Sequence, residues 1–577
     1  MRGLVASGQA PAVNDLPAPR PARTNDRHIS ETRTMSSQQP LDPKSVAGKD
    51  LHLDERAQLL VIGGGRAGLT AAIEAAELGL SVILVEESPV PFRTMGEEVP
   101  LHYGQGMAGE ARNRNAMTEA FIASEPLIEA AFEAGVDLRL GTACWGLYGN
   151  GPGVSWLSGT VAGLMDEERS WLVGADHVIV AAGRRDMGLA FPGWEKPGVM
   201  GVTAAVSLAT RYGALAPRRV VMLGSTTETL AAALALRETG VAIAALVEQA
   251  VAPVGSAELV AALRDGGTEI LTGHVVREAS GGESVEAAVI AAIDAEGRAI
   301  GAERRIACES IVLGVGVTPV IDLLDALGCR VAFQPERGGY APIVDADQNT
   351  SRPGIYAIGD CAGIWPAKSC GGTISENEAK RAVAAILGRL GLADERTIPA
   401  AIAPEPPAFD LGAYRLAWVR ASVIEARGEV HVCQCEDVTA REILEVRPPR
   451  YLNWQNERRN DRSLAALLGE DPPNPDQVKR LTRAGMGACQ GRRCREQVAA
   501  LLALGGAVPL PSIPLASYRA PVRPIPLALA GQLPEAPEQA EHWDTWFGMH
   551  AQWRPFWDVP ELFTVATNDA TGPVASE

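Results

Sequence analysis

The stretch from Gln58 to Glu86 constrains the fold more than any other part of the chain. Leu59 to Ile62 form a short apolar run of the kind that makes a buried strand, and Gly63, Gly65 and Gly68 supply a G-x-G-x-x-G turn. Leu69 to Leu78 then carry an Ala-rich helical pattern, and Ser81 to Val85 read as a second buried strand. Each glycine has a physical job. Gly63 permits the tight turn, Gly65 lets backbone N–H groups approach a pyrophosphate, and Gly68 lets helix and strand pack closely. The helix N-terminus turns its partial positive charge toward the anion. Glu86 closes the second strand, where a carboxylate accepts the hydroxyls of an adenosine ribose. A G-x-G-x-x-G alone says little; set between strand, helix, strand and terminal acid, it predicts a dinucleotide-binding α/β unit.

With 577 residues the chain has room for about four domains of ordinary size. Its net charge of −18, from 52 basic and 70 acidic residues, argues against nucleic acid or an anionic membrane surface as a partner. No apolar run reaches the roughly 18 residues that a spanning helix needs. Residues 1–54 are rich in Pro, Arg, Ser and Thr without an apolar period, and are expected to be a disordered extension. They carry no apolar h-region of a signal peptide, and Met35 is a second candidate start. The nine cysteines are an odd total, which suits a reducing, cytoplasmic compartment and favours metal over disulfides for the close pairs.

Further along, Ala143 lies in the expected strand Thr142–Leu147 and is placed beside the cofactor. Val154–Leu157 and Trp171–Val173 suggest a small antiparallel excursion. Asp176 to Gly183 give another buried strand ending in a small-residue turn. A second strand–turn–helix unit opens at Arg218 and its next strand closes on Glu248, but only Gly224 survives of the three glycines. Glu228 stands where a pyrophosphate would bind. A carboxylate suits a helix N-terminus and repels a dianion, so NAD(P) is not expected there. The unit then survives as a structural module, holding a different nucleotide or none. Ile355 to Ile358 form a short strand ending in Gly359-Asp360, where Asp360 can take a ribityl hydroxyl.

The trio Gly63–Gly68, Ala181–Gly183 and Gly359–Asp360 resembles the glutathione-reductase class of flavoproteins, over roughly residues 55–395. The resemblance implies an α/β fold with two dinucleotide-binding domains, and FAD held by Gly63, Gly65, Gly68, Glu86, Ala143, Gly183, Gly359 and Asp360. Residues 55–185 and 306–395 are expected to form the FAD-binding domain, and 186–305 the degenerate second one. Cys361 and Cys370 bracket the last turn; small core thiols are the simpler reading, a redox pair the other.

After an expected linker over 396–427 comes Cys433-Gln-Cys435, and later Cys489-Gln-Gly-Arg-Arg-Cys494. Four thiolates are the usual holders of a 2Fe–2S cluster. Zinc also accepts four cysteines, though C-x-C is not among its usual spacings, and simple buried thiols are the third possibility. Arg492, Arg493 and Arg495 would offset the charge of a tetrathiolate site.

Residues 428–506 resemble the small helical 2Fe–2S domain of bacterioferritin-associated ferredoxin. Fused behind a flavin domain, and with Thr482 to Gly487 and Tyr518 to Leu527, they resemble the α subunits of heteromeric amine and imino-acid dehydrogenases, which include proline, hydroxyproline and opine dehydrogenases, sarcosine oxidase and hydrogen cyanide synthase. That resemblance implies an electron-transfer subunit. Its β partner carries a second FAD and the substrate site, with room for an FMN at the interface and for a small γ subunit. The departures from the pattern are Arg66 in place of Pro, no Gly-Gly in the Pro89–Pro100 loop, Trp365 to Gly372 beside the flavin, and an insertion over 450–475. The segment 507–577 is Pro-rich, then crowded with Trp543, Trp546, Trp553 and Trp557, and either docks on a partner or straps back onto its own chain. Two other functions fit parts of the pattern: a self-contained NAD(P)H-dependent reductase feeding its own 2Fe–2S centre, and a scaffold subunit with lost cofactors.

Overall fold

The computed structural model describes residues 51–89, 114–151, 157–369, 371–392, 396–447, 463–470 and 472–532. The apolar run expected from the sequence is the central strand, Glu55–Ile62, in which Leu59, Leu60 and Val61 are fully buried. It pairs in parallel with Val82–Glu86 on one side and with Ser170–Val180 on the other. Strands covered on both faces are apolar at consecutive positions, and this one is. Asp137–Leu140 extends the sheet at one edge, Thr160–Met165 and Ala143–Tyr148 at the other, and Ile355–Ala357 also pairs with Ser170–Val180. The strands expected at Trp171–Val173 and at 176–180 are thus one long element, Ser170–Val180, whose antiparallel partner is Thr160–Met165; residues 154–156 of the other expected strand lie outside the described residues. Asp54, within the segment expected as an extension, exchanges backbone and side-chain hydrogen bonds with Leu172 at 3.0 and 2.9 Å.

A second parallel sheet runs Glu269–Thr272, Ala242–Glu248, Arg219–Leu223, Ser310–Leu313, Val199–Gly201. Ser310–Leu313 falls within the stretch 306–395 expected to belong to the FAD-binding domain, yet it pairs with Arg219–Leu223 of the second sheet. A fully buried apolar strand suits either sheet, so its sequence does not name its neighbour. The crossover comes after it, through Val317–Pro319, which pairs antiparallel with Arg184–Asp186. A three-stranded antiparallel sheet, His274–Ser280, Ala287–Ile293 and Ala299–Ala307, is appended.

The expected linker contains a helix, Leu411–Val419, capped by the Asp410 carboxylate, which accepts the Ala413 N–H at 2.9 Å. Tyr414 and Trp418, one turn apart, are buried with Val221 and Leu223 of the second sheet and with Val432, Cys433 and Val498 beyond. The prolines that precede this helix give it the look of a linker. The helix Arg495–Gly506 is buried nearly throughout. The described part of the C-terminal segment straps back: Tyr340 donates to Ile513 O at 2.7 Å and Val522 N–H to Trp145 O at 2.7 Å. The crowded tryptophans from Trp543 on, the Pro89–Pro100 loop beyond Pro89 and most of the 450–475 insertion lie outside the described residues. Among the described residues no helix is long and apolar enough to cross a membrane.

Candidate functional site

Three turns far apart in sequence meet at the C-terminal ends of the first sheet's parallel strands. A Cβ on Gly63 would sit 2.2 Å from Ala181 O, and one on Gly68 would sit 1.9 Å from Gly63 O. Both positions therefore admit only glycine. Gly65 differs: nothing lies within 4 Å of where its Cβ would be. The helix Arg66–Glu77 begins there with no side-chain cap and no acid in its first turn, so its leading N–H groups are left for an anion.

Glu86 sits beside this loop. Its Oε2 accepts the Gly64 N–H at 2.6 Å and its Oε1 the Ser88 N–H at 2.8 Å, while burial pushes its pKa up. Each carboxylate oxygen keeps a lone pair for a ribose hydroxyl. A cavity of about 190 Å³ is bounded by Gly63, Gly65, Glu86, Cys144 and Gly183. A second of about 240 Å³ is bounded by Gly65, Gly183, Gly359, Asp360 and Lys368. Because both share Gly65, Ala181 and Gly183, they make one elongated cleft in which the expected turns converge. Ala143 lines neither. Thr142 N–H bonds Glu86 O at 2.9 Å and fixes the register there, so Thr142 and Cys144 face the cavity and Ala143 the other side.

Several cleft residues carry no motif. Asp360 lies 3.5 Å from Arg184 Nε. Beneath the turn, Gly359 N–H donates to Glu378 Oε2 at 2.8 Å, and Lys368 Nζ donates to Gly359 O at 2.6 Å and pairs with Glu378 at 2.8 Å. At the other end Asp322, nearly fully buried, pairs with Arg185 at 2.9 Å and Arg523 at 3.1 Å, and Arg523 also holds Glu87 at 2.7 Å. The two guanidiniums hold the Asp322 pKa down at about 2 against the opposing effect of its burial. Arg66, in place of the usual proline, pairs with Glu376 at 3.1 Å. Cys361 is a core thiol: it donates to Val180 O at 3.0 Å, and burial pushes its pKa up to about 12. Cys370 lies outside the described residues.

The second loop is closed where the first is open. Thr226 caps its helix, and Glu228 occupies the first turn. Glu248, fully buried, accepts Ser225 Oγ at 2.6 Å, Ala250 N–H at 2.8 Å and Tyr414 Oη at 2.9 Å. Gly255 covers the turn so closely that a Cβ there would lie 2.6 Å from Ser225 O and from Thr227 N.

The four motif cysteines approach one another. Cys435 Sγ lies 3.6 Å from Cys489 Sγ and 3.9 Å from Cys433 Sγ, and Cys494 is fully buried alongside. Thiolates about 2.3 Å from one tetrahedral metal lie ~3.8 Å apart, so these spacings fit shared metal ligands. Gly485 donates its N–H to Cys433 Sγ at 3.4 Å, and a Cβ on Gly487 would lie 2.5 Å from Cys435 Sγ. Among the described residues no three His, Cys, Asp or Glu side chains converge as a single metal ion requires, so the fit is pairwise. Arg493 bonds the Gln434 amide oxygen, Arg495 the Gln490 carbonyl and Arg492 the Cys489 carbonyl, bracing the loop around the cysteines.

The family described as pyridine nucleotide-disulphide oxidoreductase matches residues 3–111 and 57–386. The chain belongs to that family. It is an FAD-dependent oxidoreductase, and the cleft's glycines, Glu86 and Asp360 are the residues suited to hold FAD. The chain is 28% identical to one subunit of the opine oxidase of Agrobacterium tumefaciens, over 84% of its own length and 93% of that protein's. It is 27% identical to the HcnB subunit of hydrogen cyanide synthase from Pseudomonas aeruginosa, over 75% of this chain and 90% of that one. Among solved structures, L-proline dehydrogenase from P. horikoshii superposes with a TM-score of 0.54 at 20% identity, covering 83% of this chain and 80% of that one; it shares the fold.

Proposed function

We propose that this flavoprotein is the electron-transfer subunit of a heteromeric oxidase or dehydrogenase whose β partner oxidises a C–N bond in an imino acid, opine or amine. FAD supplies two-electron acceptance and one-electron release, and a 2Fe–2S cluster on Cys433, Cys435, Cys489 and Cys494 would supply a one-electron relay. The chain's own residues position these groups. Glu86 and the Gly65 loop would hold the adenosine end of FAD, and Asp360, on the turn that Lys368 and Glu378 brace through Gly359, would hold its ribityl end. The observation that carries the reading is the contrast between loops. An open first loop with a free helix N-terminus suits a resident dinucleotide, while a second loop whose strand-terminal Glu248 is taken by Tyr414, and whose helix starts with Glu228, is poorly suited to NAD(P)H. Electrons must then come from elsewhere, and relatives whose names describe them as parts of larger enzymes support a partner chain as the source.

The test is anaerobic purification with flavin, iron and sulfide quantified, followed by reduction trials. Bound FAD, an iron-to-chain ratio of about two, and no bleaching by NAD(P)H support the proposal. Flavin bleached by NAD(P)H within turnover time would make the chain a self-contained reductase instead.

A further inference from the structure

Arg415 is 2% exposed, on the helix that packs against the second sheet. Its Nη2 donates to Val317 O at 3.1 Å and to Gly338 O at 2.7 Å. Its Nε and Nη1 are buried with no hydrogen-bond partner. The buried Glu496 carboxylate acts on this charge without taking those two donors, and orphaned buried donors are rare. Arg415 also lines a cavity of about 280 Å³ that opens beside the sealed second loop. Gly316 forms part of the same wall: a Cβ there would lie 3.6 Å from Arg415 Nε and Nη2, in ordinary contact.

The rest of the lining sets the ligand's character. Val317, Ile364, Trp365, Phe409 and Leu411 make most of it apolar. Glu228, Glu336 and Glu405 also border it, and three carboxylates disfavour a phosphate or any other multiply charged anion. One buried cation, an apolar wall and an acidic border together select a single negative charge on an apolar body.

We propose that this cavity binds a small apolar monocarboxylate, its carboxylate on Arg415 and its body against Trp365 and Phe409. The site is separate from the flavin cleft, and nothing in it depends on the electron-transfer role. Glu248 and Tyr414 close the former ribose position, so what remains of the second dinucleotide site is a compartment of small-molecule size.

Isothermal titration of the purified full chain with benzoate tests this, with benzamide and inorganic phosphate as controls. Benzoate should bind saturably, and benzamide and phosphate about tenfold or more weaker, since a charge-assisted pair is worth roughly 1.5–3 kcal/mol. Arg415→Met should weaken benzoate by a similar factor. Because that variant leaves two carbonyls unpaired and can fold poorly, Gly316→Ala is the second probe: its methyl adds bulk to the cavity wall beside the guanidinium and should also weaken benzoate. No benzoate binding, tighter binding of phosphate, or benzoate affinity unchanged in a folded variant overturns the assignment.

Discussion

Tyr414 donates its hydroxyl to the buried carboxylate of Glu248 at 2.9 Å and so joins a helix that follows the flavin module to the loop of a dismantled dinucleotide site. In an intact site of this type the strand-terminal acid is held free for a ribose. Here its lone pairs are taken by Ser225, Ala250 and Tyr414. The carboxylate has been retained and given a structural role, and the residue that fills the ribose position comes from the same helix as Arg415.

Removing that hydroxyl should destabilise the fold in a pH-dependent way. Burial raises the Glu248 pKa above its ordinary 4.5, and the bond from Tyr414 works against that rise. Tyr414→Phe raises it further. An acid with a raised folded pKa contributes stability that is complete below the unfolded value and is lost as pH climbs through the folded one. Thermal melts should therefore differ little between variant and wild type near pH 4.5 and by about 1–3 kcal/mol near neutrality. A penalty independent of pH would mean that Glu248 stays protonated in both.

Glu86→Gln tests the first loop. A glutamine can accept with one oxygen only, so either the Gly64 or the Ser88 N–H loses its partner, and the ribose loses a charged acceptor. Charge-assisted bonds of roughly 1.5–3 kcal/mol imply FAD binding weaker by about 10- to 100-fold. Fluorescence titration of FAD into the apoprotein measures it. Affinity equal to wild type would place the adenosine ribose elsewhere.

How far the sequence reached can be judged residue by residue. Gly63, Gly68 and Glu86 stand out in the sequence because a tight turn, a helix–strand contact and a strand end each admit few residue types; in the fold the two glycines leave no space for a Cβ and Glu86 accepts the Gly64 N–H. The spacing of the four cysteines singles them out, and the fold brings Cys433, Cys435 and Cys489 within 3.6 to 3.9 Å of a neighbour in pairs. Ser310–Leu313 was not, because a strand buried on both faces carries no mark of its partner. Nor was Leu411–Val419, whose apolar face is short and preceded by prolines. Lys368, Glu378 and Asp322 escaped for another reason. Each is a common charged residue whose role arises only from a burial and a partner set by tertiary packing.

The Lys368–Glu378 pair should be costly to break and cheaper to replace. Both side chains are almost fully buried, 2.8 Å apart, and both bond the Gly359 backbone. Losing one partner strands a buried charge, at roughly 3–5 kcal/mol. Chemical denaturation of Lys368→Met should show a loss of that size. The double variant Lys368→Met with Glu378→Leu should recover part of it, because no unpaired charge remains. FAD affinity should stay reduced in the double variant, since the Gly359 N–H and C=O have both lost their partners beside Asp360. Recovery of stability and affinity together would show the pair to be irrelevant to the turn.

Cysteine substitutions should separate the metal site from the flavin site. Cys489 stands 3.6 Å from Cys435, and its thiol pKa is raised by the hydrogen bond to Cys435 and by burial, so without metal both sulfurs are held protonated and close. Cys489→Ser keeps the size of the side chain and removes a soft ligand. Iron and sulfide per chain should fall to near zero while the flavin content stays at the wild-type level. Cys361→Ser, by contrast, alters a thiol that donates to Val180 O beside the flavin turn. It should leave iron unchanged and cost at most about 1–2 kcal/mol of stability, the scale of one altered buried hydrogen bond. Elemental analysis of the two variants side by side decides the matter. Iron retained by Cys489→Ser, or lost equally from both, would mean that Cys433, Cys435, Cys489 and Cys494 pack together without holding a cluster.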